Sequence, residues 1–240
     1  MPKFVIFDNQ YKIAYKFFKR SKKTIIFLHG LMSDMNGTKS KYLGKFAKKN
    51  QLSFLTFDFR GHGKSSGQFI DYGIIDWVND LKNMIKFLKI QNCILIGSSM
   101  GGWVAMYYAL QYPKNIIKLI GIAAAPDFTT ELIFKNLSLS EKNKIKNNLI
   151  VKKKVSQDFY YLYSPNLFRR SKLALLKNLK NTFNKEAIFF HGSMDHTVPH
   201  NYNERFLFNK NFINLKLITI KNADHGMSDY NSLDTISKFI

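Results

Sequence analysis

With 240 residues, 45% of them hydrophobic and 15% aromatic, the chain can bury one sizeable core and is too apolar for a disordered protein. No run nears the roughly 20 apolar residues of a membrane span. The opening MPKFVIFDNQ lacks the basic-then-apolar layout of a signal peptide, and the lone Cys93 excludes an internal disulfide, so a soluble protein of a reducing, cytoplasmic compartment is expected. The formal charge of +21 rests almost wholly on lysine, with five arginines among 37 basic residues. Nucleic-acid recognition favours the bidentate arginine fork, so a solvated lysine coat is the expectation, with no nucleic-acid partner and at most a weak attraction to acidic surfaces.

In chain order, residues 3–7 and 12–18 read as an opening β-hairpin turned at Asp8-Asn9-Gln10. Buried strands follow at 24–30 and 52–59, on either side of a helix over about 39–50. Helical spacing recurs over 74–88. CILIG (93–97) is the next strand, and the helix over about 100–112 is closed by Pro113. Further strands are expected at 116–125, 186–192 and 214–220, with a terminal helix over about 229–240. Strands alternating with helices mean βαβ units, hence one α/β domain over 1–240 with a mostly parallel sheet. Residues 127–184 break the rhythm. They hold helical pieces such as LSLSEKNKIKNNLI (137–150) and the aromatic run DFYYLYSPNLF (158–168), without a clear strand. The segment is too long for an ordinary loop and is expected to fold as a cap.

The junction within CILIGSSMGGWVAMYYAL (93–110) carries the chemistry. A reactive serine on a strained strand-to-helix turn is written G-x-S-x-G, and Gly97-Ser98-Ser99-Met100-Gly101 fits with Ser99 at the centre. Centring on Ser98 would demand glycine where Ile96 and Met100 stand, so Ser98 is left to support the turn and Gly102 to ease the packing of the helix. A serine hydroxyl needs a base, and the base an orienting carboxylate, here in the order Ser, acid, His. Asp195 lies four residues past the end of the strand at His191, and His225 lies just beyond the last strand; both reach the sheet edge that carries Ser99. His191, His196 and His200 crowd the acid loop and are weaker choices of base. Asp127 is a second acid delivered by a strand end, and Asp224 reads as the cap of the His225 turn. The histidines form no metal-ligand pattern. Two main-chain N–H groups, from Leu31 after the third strand and Met100 after the serine, are expected to form an oxyanion hole. Met32, Met194 and Met227 flank the site and would make a flexible apolar acyl pocket. RGHGKSSG (60–67) fails both phosphate-loop patterns, since Asp58 and Ser66 occupy positions that need glycine, and reads as a structural loop.

FLHG (27–30), DFRGHGKS (58–65), GSSMGG (97–102), HGSMDHTVP (191–199) and ADHG (223–226) occur in the order and at the separations of the α/β-hydrolases, which the chain resembles over essentially its full length. SDMNGTKS (33–40), AAAPDFTTEL (123–132) and the short insertion resemble more closely the subgroup of the mitochondrial palmitoyl-protein thioesterase, also known as the mycophenolic acid acyl-glucuronide esterase, and its bacterial relatives. The resemblance implies an eight-stranded, mostly parallel sheet flanked by helices, with a small helical cap inserted after the sixth strand. It also implies a cofactor-free, metal-free serine esterase or thioesterase using Ser99, Asp195 and His225 with the Leu31 and Met100 amides, acting on a small acyl ester or an acylated protein. LIVKKKVSQDFYYLYS (149–164) is unusually basic and aromatic for the cap. The alternatives are a monoacylglycerol or lysophospholipid lipase and, in another class, a noncatalytic basic module binding nucleic acid or membrane.

Overall fold

The computed structural model describes residues 1–155, 157, 160–206 and 211–240; Ser156, Asp158 and Phe159 of the aromatic and basic run lie outside the described residues. The sheet is built from β1 (Lys3–Phe7), β2 (Tyr11–Phe18), β3 (Lys23–Leu28), β4 (Ser53–Phe57), β5 (Asn92–Ser98), β6 (Ile116–Ile122), β9 (Phe183–Gly192) and β10 (Phe212–Ile220). Between the last β6 residue and β9 lies a separate ribbon of β7 (Val151–Lys154) and β8 (Tyr160–Tyr163). The eight strands run β1-β2-β4-β3-β5-β6-β9-β10. From β4 to β10 every neighbour is parallel, and β2 joins β1 and β4 antiparallel at the edge.

The central strands are apolar on both faces because helices cover both. Along β3, Ile26 and Leu28 enter a core with Trp77, Trp103 and Phe57, whereas Ile25 and Phe27 enter the opposite core with Ile94, Ile96, Ile120 and Phe190. The covering helices are α1 (Thr38–Lys49), α2 (Ile74–Phe87), α3 (Met100–Gln111) and α6 (Tyr230–Ser237). Ten of the twelve α3 residues are buried, which marks it as the helix enclosed between sheet and insertion. The sequence reading carries three strands too far. His29-Gly30, Asp58-Phe59 and Ala123–Ala125 leave the sheet at its carboxyl edge, the first and the last of them beside Ser99.

The insertion carries α4 (Leu139–Lys146) and α5 (Pro165–Ser171), and a π-helical turn over Thr129–Phe134. Contrary to the strand-free expectation, it also holds the antiparallel β7–β8 ribbon, with Lys153 opposite Tyr161 and Val151 opposite Tyr163. Four-residue strands written VKKK and YYLY show no apolar alternation, because a lysine takes an inward position; tertiary placement alone makes them a ribbon. The insertion is fastened to the sheet domain by polar contacts. The Trp103 indole donates to Ala174 O at 2.9 Å, and Arg170 pairs with Asp76. Within the insertion, Asp127 at its start accepts from the Leu176 amide at 2.9 Å and is thereby committed to tying its two ends together. Among the described residues no helix is long and apolar enough to cross a membrane.

Candidate active site

Ser99 ends the β5-to-α3 turn at φ +52°, ψ −116°, a conformation that a non-glycine residue holds only when its surroundings impose it. Two glycines make those surroundings possible. A Cβ on Gly97 would stand 2.2 Å from Gly101 O, and one on Gly101 would stand 2.5 Å from both the Leu28 and His29 carbonyl oxygens. At Gly102 a Cβ would meet Ala124 Cβ at 2.6 Å, so the helix can approach the β6 loop only as glycine. The turn is locked by Ser99 N–H donating to Ile122 O at 2.9 Å and Ala125 N–H donating to Ser99 O at 3.1 Å.

The loops after β9 and β10 bring Asp195 and His225 to the same rim. The Ser99 hydroxyl donates to His225 Nε2 at 3.1 Å, and His225 Nδ1–H donates to Asp195 Oδ2 at 2.8 Å. The other carboxylate oxygen accepts the Thr197 and Val198 amides at 2.9 and 2.8 Å. Burial pushes the Asp195 carboxyl up, but donation from His191, His225 and the Val198 amide overrides it and holds the group well below the usual carboxylate range. Asp224 caps its own turn by accepting Met227 N–H at 2.9 Å, as the sequence suggests. Lys39 of α1 donates to Gly226 O and, at 3.2 Å, to Ser228 Oγ, so the loop that carries His225 is held from across the sheet. An imidazole so placed can take the serine proton while its second nitrogen stays fixed against a carboxylate.

Leu31 borders both cavities that open at Ser99, and a Cβ on Gly30 would lie 3.5 Å from Ser99 Cβ, so this loop passes beside the serine. Met100 is the first residue of α3, where an N–H has no intrahelical acceptor. Behind Leu31, Met32 sits at φ +52° and its N–H donates to His62 Nε2 at 3.2 Å. The loop 60–67 is therefore structural, and it also supports the Leu31 segment.

One cavity, of about 480 Å³, is apolar on most of its wall, with Phe128, Leu132, Ile133, Leu137, Tyr163 and Val198. The second, about 230 Å³, is more mixed, with Ser33, Asp34, Lys39, Ser98 and Ser228 beside Phe27 and Leu31. Ser99, His225, Leu31 and Tyr161 belong to both, so the hydroxyl stands at the junction of two lobes. The three methionines expected to line an acyl pocket border neither lobe. Met194 is 51% exposed, Met227 is fully buried in the core beneath, and Met32 belongs to the loop held by His62. The lining instead comes largely from the insertion, through Phe128, Leu132, Ile133, Leu137 and Tyr163, joined by Val198 of the acid loop.

A family model described as serine aminopeptidase, S33, matches residues 19–173, from the end of β2 to just past α5. The mitochondrial palmitoyl-protein thioesterase ABHD10 of Rattus norvegicus is 27% identical over 218 residues, 90% of this chain and 73% of the relative. Among solved structures, a putative hydrolase from Agrobacterium vitis S4 superposes with a TM-score of 0.90 at 24% identity, covering 100% of this chain and 96% of that one. Mouse alpha/beta hydrolase domain-containing protein 10 gives 0.86 at 23% identity, over 100% and 96%. With the sheet order, the serine turn and this match in hand, the chain belongs to the serine aminopeptidase S33 family of α/β-hydrolases.

Proposed function

We propose that this hydrolase cleaves carboxylic esters or thioesters through an acyl-enzyme on Ser99. The observation that carries the reading is the unbroken hydrogen-bond chain from the Ser99 hydroxyl through both nitrogens of His225 to Asp195. His225 takes the hydroxyl proton as Ser99 Oγ attacks the acyl carbon, and Asp195 stabilises the imidazolium and fixes its tautomer. The Leu31 and Met100 amides receive the oxyanion of the tetrahedral intermediate. His225 then returns its proton to the departing alkoxide or thiolate. Water, deprotonated by the same imidazole, attacks the acyl carbon and releases the acid from Ser99.

The apolar lobe of about 480 Å³ supports an acyl chain under residues 127–184, which act as the cap, while the smaller, more mixed lobe accepts the leaving group or the attacking water. The thioesterase name of the rat relative supports including thioesters. Fluorophosphonate labelling, followed by p-nitrophenyl esters and matched thioesters of increasing acyl length, tests the reading. Labelling of the wild type at Ser99 and turnover of one series are expected; a protein that does neither overturns it. Monoacylglycerols and lysophospholipids in the same series decide the lipase alternative.

A further inference from the structure

Asp195 receives a second imidazole. His191 is the penultimate residue of β9, its side chain fully buried, with Nε2 3.3 Å from Asp195 Oδ2 and 3.0 Å from Val198 O. Its Nδ1 lies 3.3 Å from the amide nitrogen of Asn203, which also donates to Ala124 O at 2.8 Å. These contacts fix every proton in the group. Ala124 O is an acceptor only, so the Asn203 atom facing it is nitrogen. That same nitrogen can only donate to His191, so Nδ1 carries a lone pair and the single ring proton sits on Nε2. The Nε2–H then faces Val198 O at 3.0 Å, with Asp195 Oδ2 alongside it at 3.3 Å. Asn203 Oδ1 is buried and, among the described residues, has no hydrogen-bond partner. Turning the amide over would set oxygen against the Ala124 carbonyl, so the orientation is kept at the cost of an unpaired acceptor.

On the reading of Ser99, His225 and Asp195 given above, we infer that His191, held in its Nε2–H tautomer by Asn203, is a positioning residue that pins Asp195 Oδ2 opposite His225. It touches neither substrate nor the serine. With the Thr197 and Val198 amides on the other oxygen, the carboxylate has donors on both arms and cannot rotate away as His225 takes up its proton. The sequence weighs His191 only as a rival base. The fold sets it against the same carboxylate oxygen that faces His225, where it acts through Asp195.

The tests are kinetic and spectroscopic, on the full chain. His191→Leu removes the donor, and His191→Gln offers an amide N–H at the reach of Nε2. A hydrogen bond to a charged group lost from the transition state predicts a drop in kcat of about tenfold for His191→Leu, with KM changed less than about twofold. His191→Gln is expected to recover most of the loss, which a purely volume-filling role would not allow. In ¹⁵N-histidine spectra of the wild type, His191 Nε2 should resonate as a protonated nitrogen and Nδ1 as one bearing a lone pair. Equal kcat in wild type and His191→Leu, equal loss in both variants, or the opposite tautomer each overturns the inference. The tautomer measurement decides it even where His191→Leu fails to fold. A wild type with the assigned tautomer and no esterase turnover would instead refute the reaction.

Discussion

His62 lies 30 positions from the residue it supports, and it makes a pH-dependent prediction. Its ring is enclosed by His29, Phe69 and Trp77 at centroid distances of 5.0, 5.3 and 5.1 Å. Nε2 accepts the Met32 amide, so Nδ1 carries the proton and donates to Arg60 O at 3.2 Å. Burial, reinforced by the charge of His29 and opposed by the Arg60 carbonyl, pushes His62 down to about 3. The unfolded chain titrates at about 6.5, so the folded state refuses a proton that the unfolded state accepts. The stability is complete above that unfolded value and is lost as pH falls from about 6.5 towards 3. At pH 5 the unfolded chain is about 1.5 units past its midpoint, which at about 1.4 kcal/mol per unit is a loss of about 2 kcal/mol relative to pH 8. His62→Gln keeps an acceptor for Met32 N–H but cannot titrate. Urea unfolding of both proteins at pH 8 and pH 5 isolates the effect of the His62 pair with its neighbour His29, because the distant carboxylates cancel in the difference. Wild type is expected to lose about 2 kcal/mol more than His62→Gln across that interval. If the two stabilities fall in parallel, the buried neutral imidazole is the wrong description and the support for the Leu31 loop needs another source.

Ser99→Ala should keep the wild-type circular dichroism, lose fluorophosphonate labelling and lower kcat by about 10⁶; substantial residual turnover would move the nucleophile elsewhere. Gly101→Ala places a methyl 2.5 Å from two backbone oxygens and is expected to cost about 3 kcal/mol in urea unfolding, so a variant as stable as wild type would refute the close approach. Ile133→Trp projects into the apolar lobe of about 480 Å³. Its acyl-length optimum in a p-nitrophenyl ester series should move to shorter chains, with little change in kcat/KM for acetate; an unchanged optimum would place the acyl chain in the other lobe.

What the sequence reveals about this protein follows from how local each constraint is. The elbow is legible because its glycines answer to backbone atoms a few residues away and to the strand alongside, so the pentapeptide carries its own explanation. Asp195 and His225 are legible because a parallel sheet sends the loops after β9 and β10 to the rim that also receives Ser99, and strand order alone predicts the convergence that the distances of 3.1 and 2.8 Å describe. The methionine expectation failed for a corresponding reason. Proximity in sequence to a motif says nothing about which way a side chain turns, and Met227, two residues past His225, turns into the core.

The ribbon over 151–163 marks the limit. Each strand is four residues long, too short for a period to show, and its inward positions hold Val151, Lys153, Tyr161 and Tyr163. Lys153 can take an inward place because Glu141 of α4 pairs with its ammonium at 2.6 Å, a partnership twelve residues away that no alternation rule anticipates. The same holds for Asn203, whose two donors meet Ala124 on the loop after β6 and His191 at the end of β9. The residues proposed to perform the chemistry are constrained by nearby backbone and by the end of the strand that bears them, and so leave motifs. Residues that hold the chemistry in place or shape the lobes are constrained by partners that only the folded chain supplies. Substrate preference, which depends on the second kind, therefore has to be read from the walls of the two lobes.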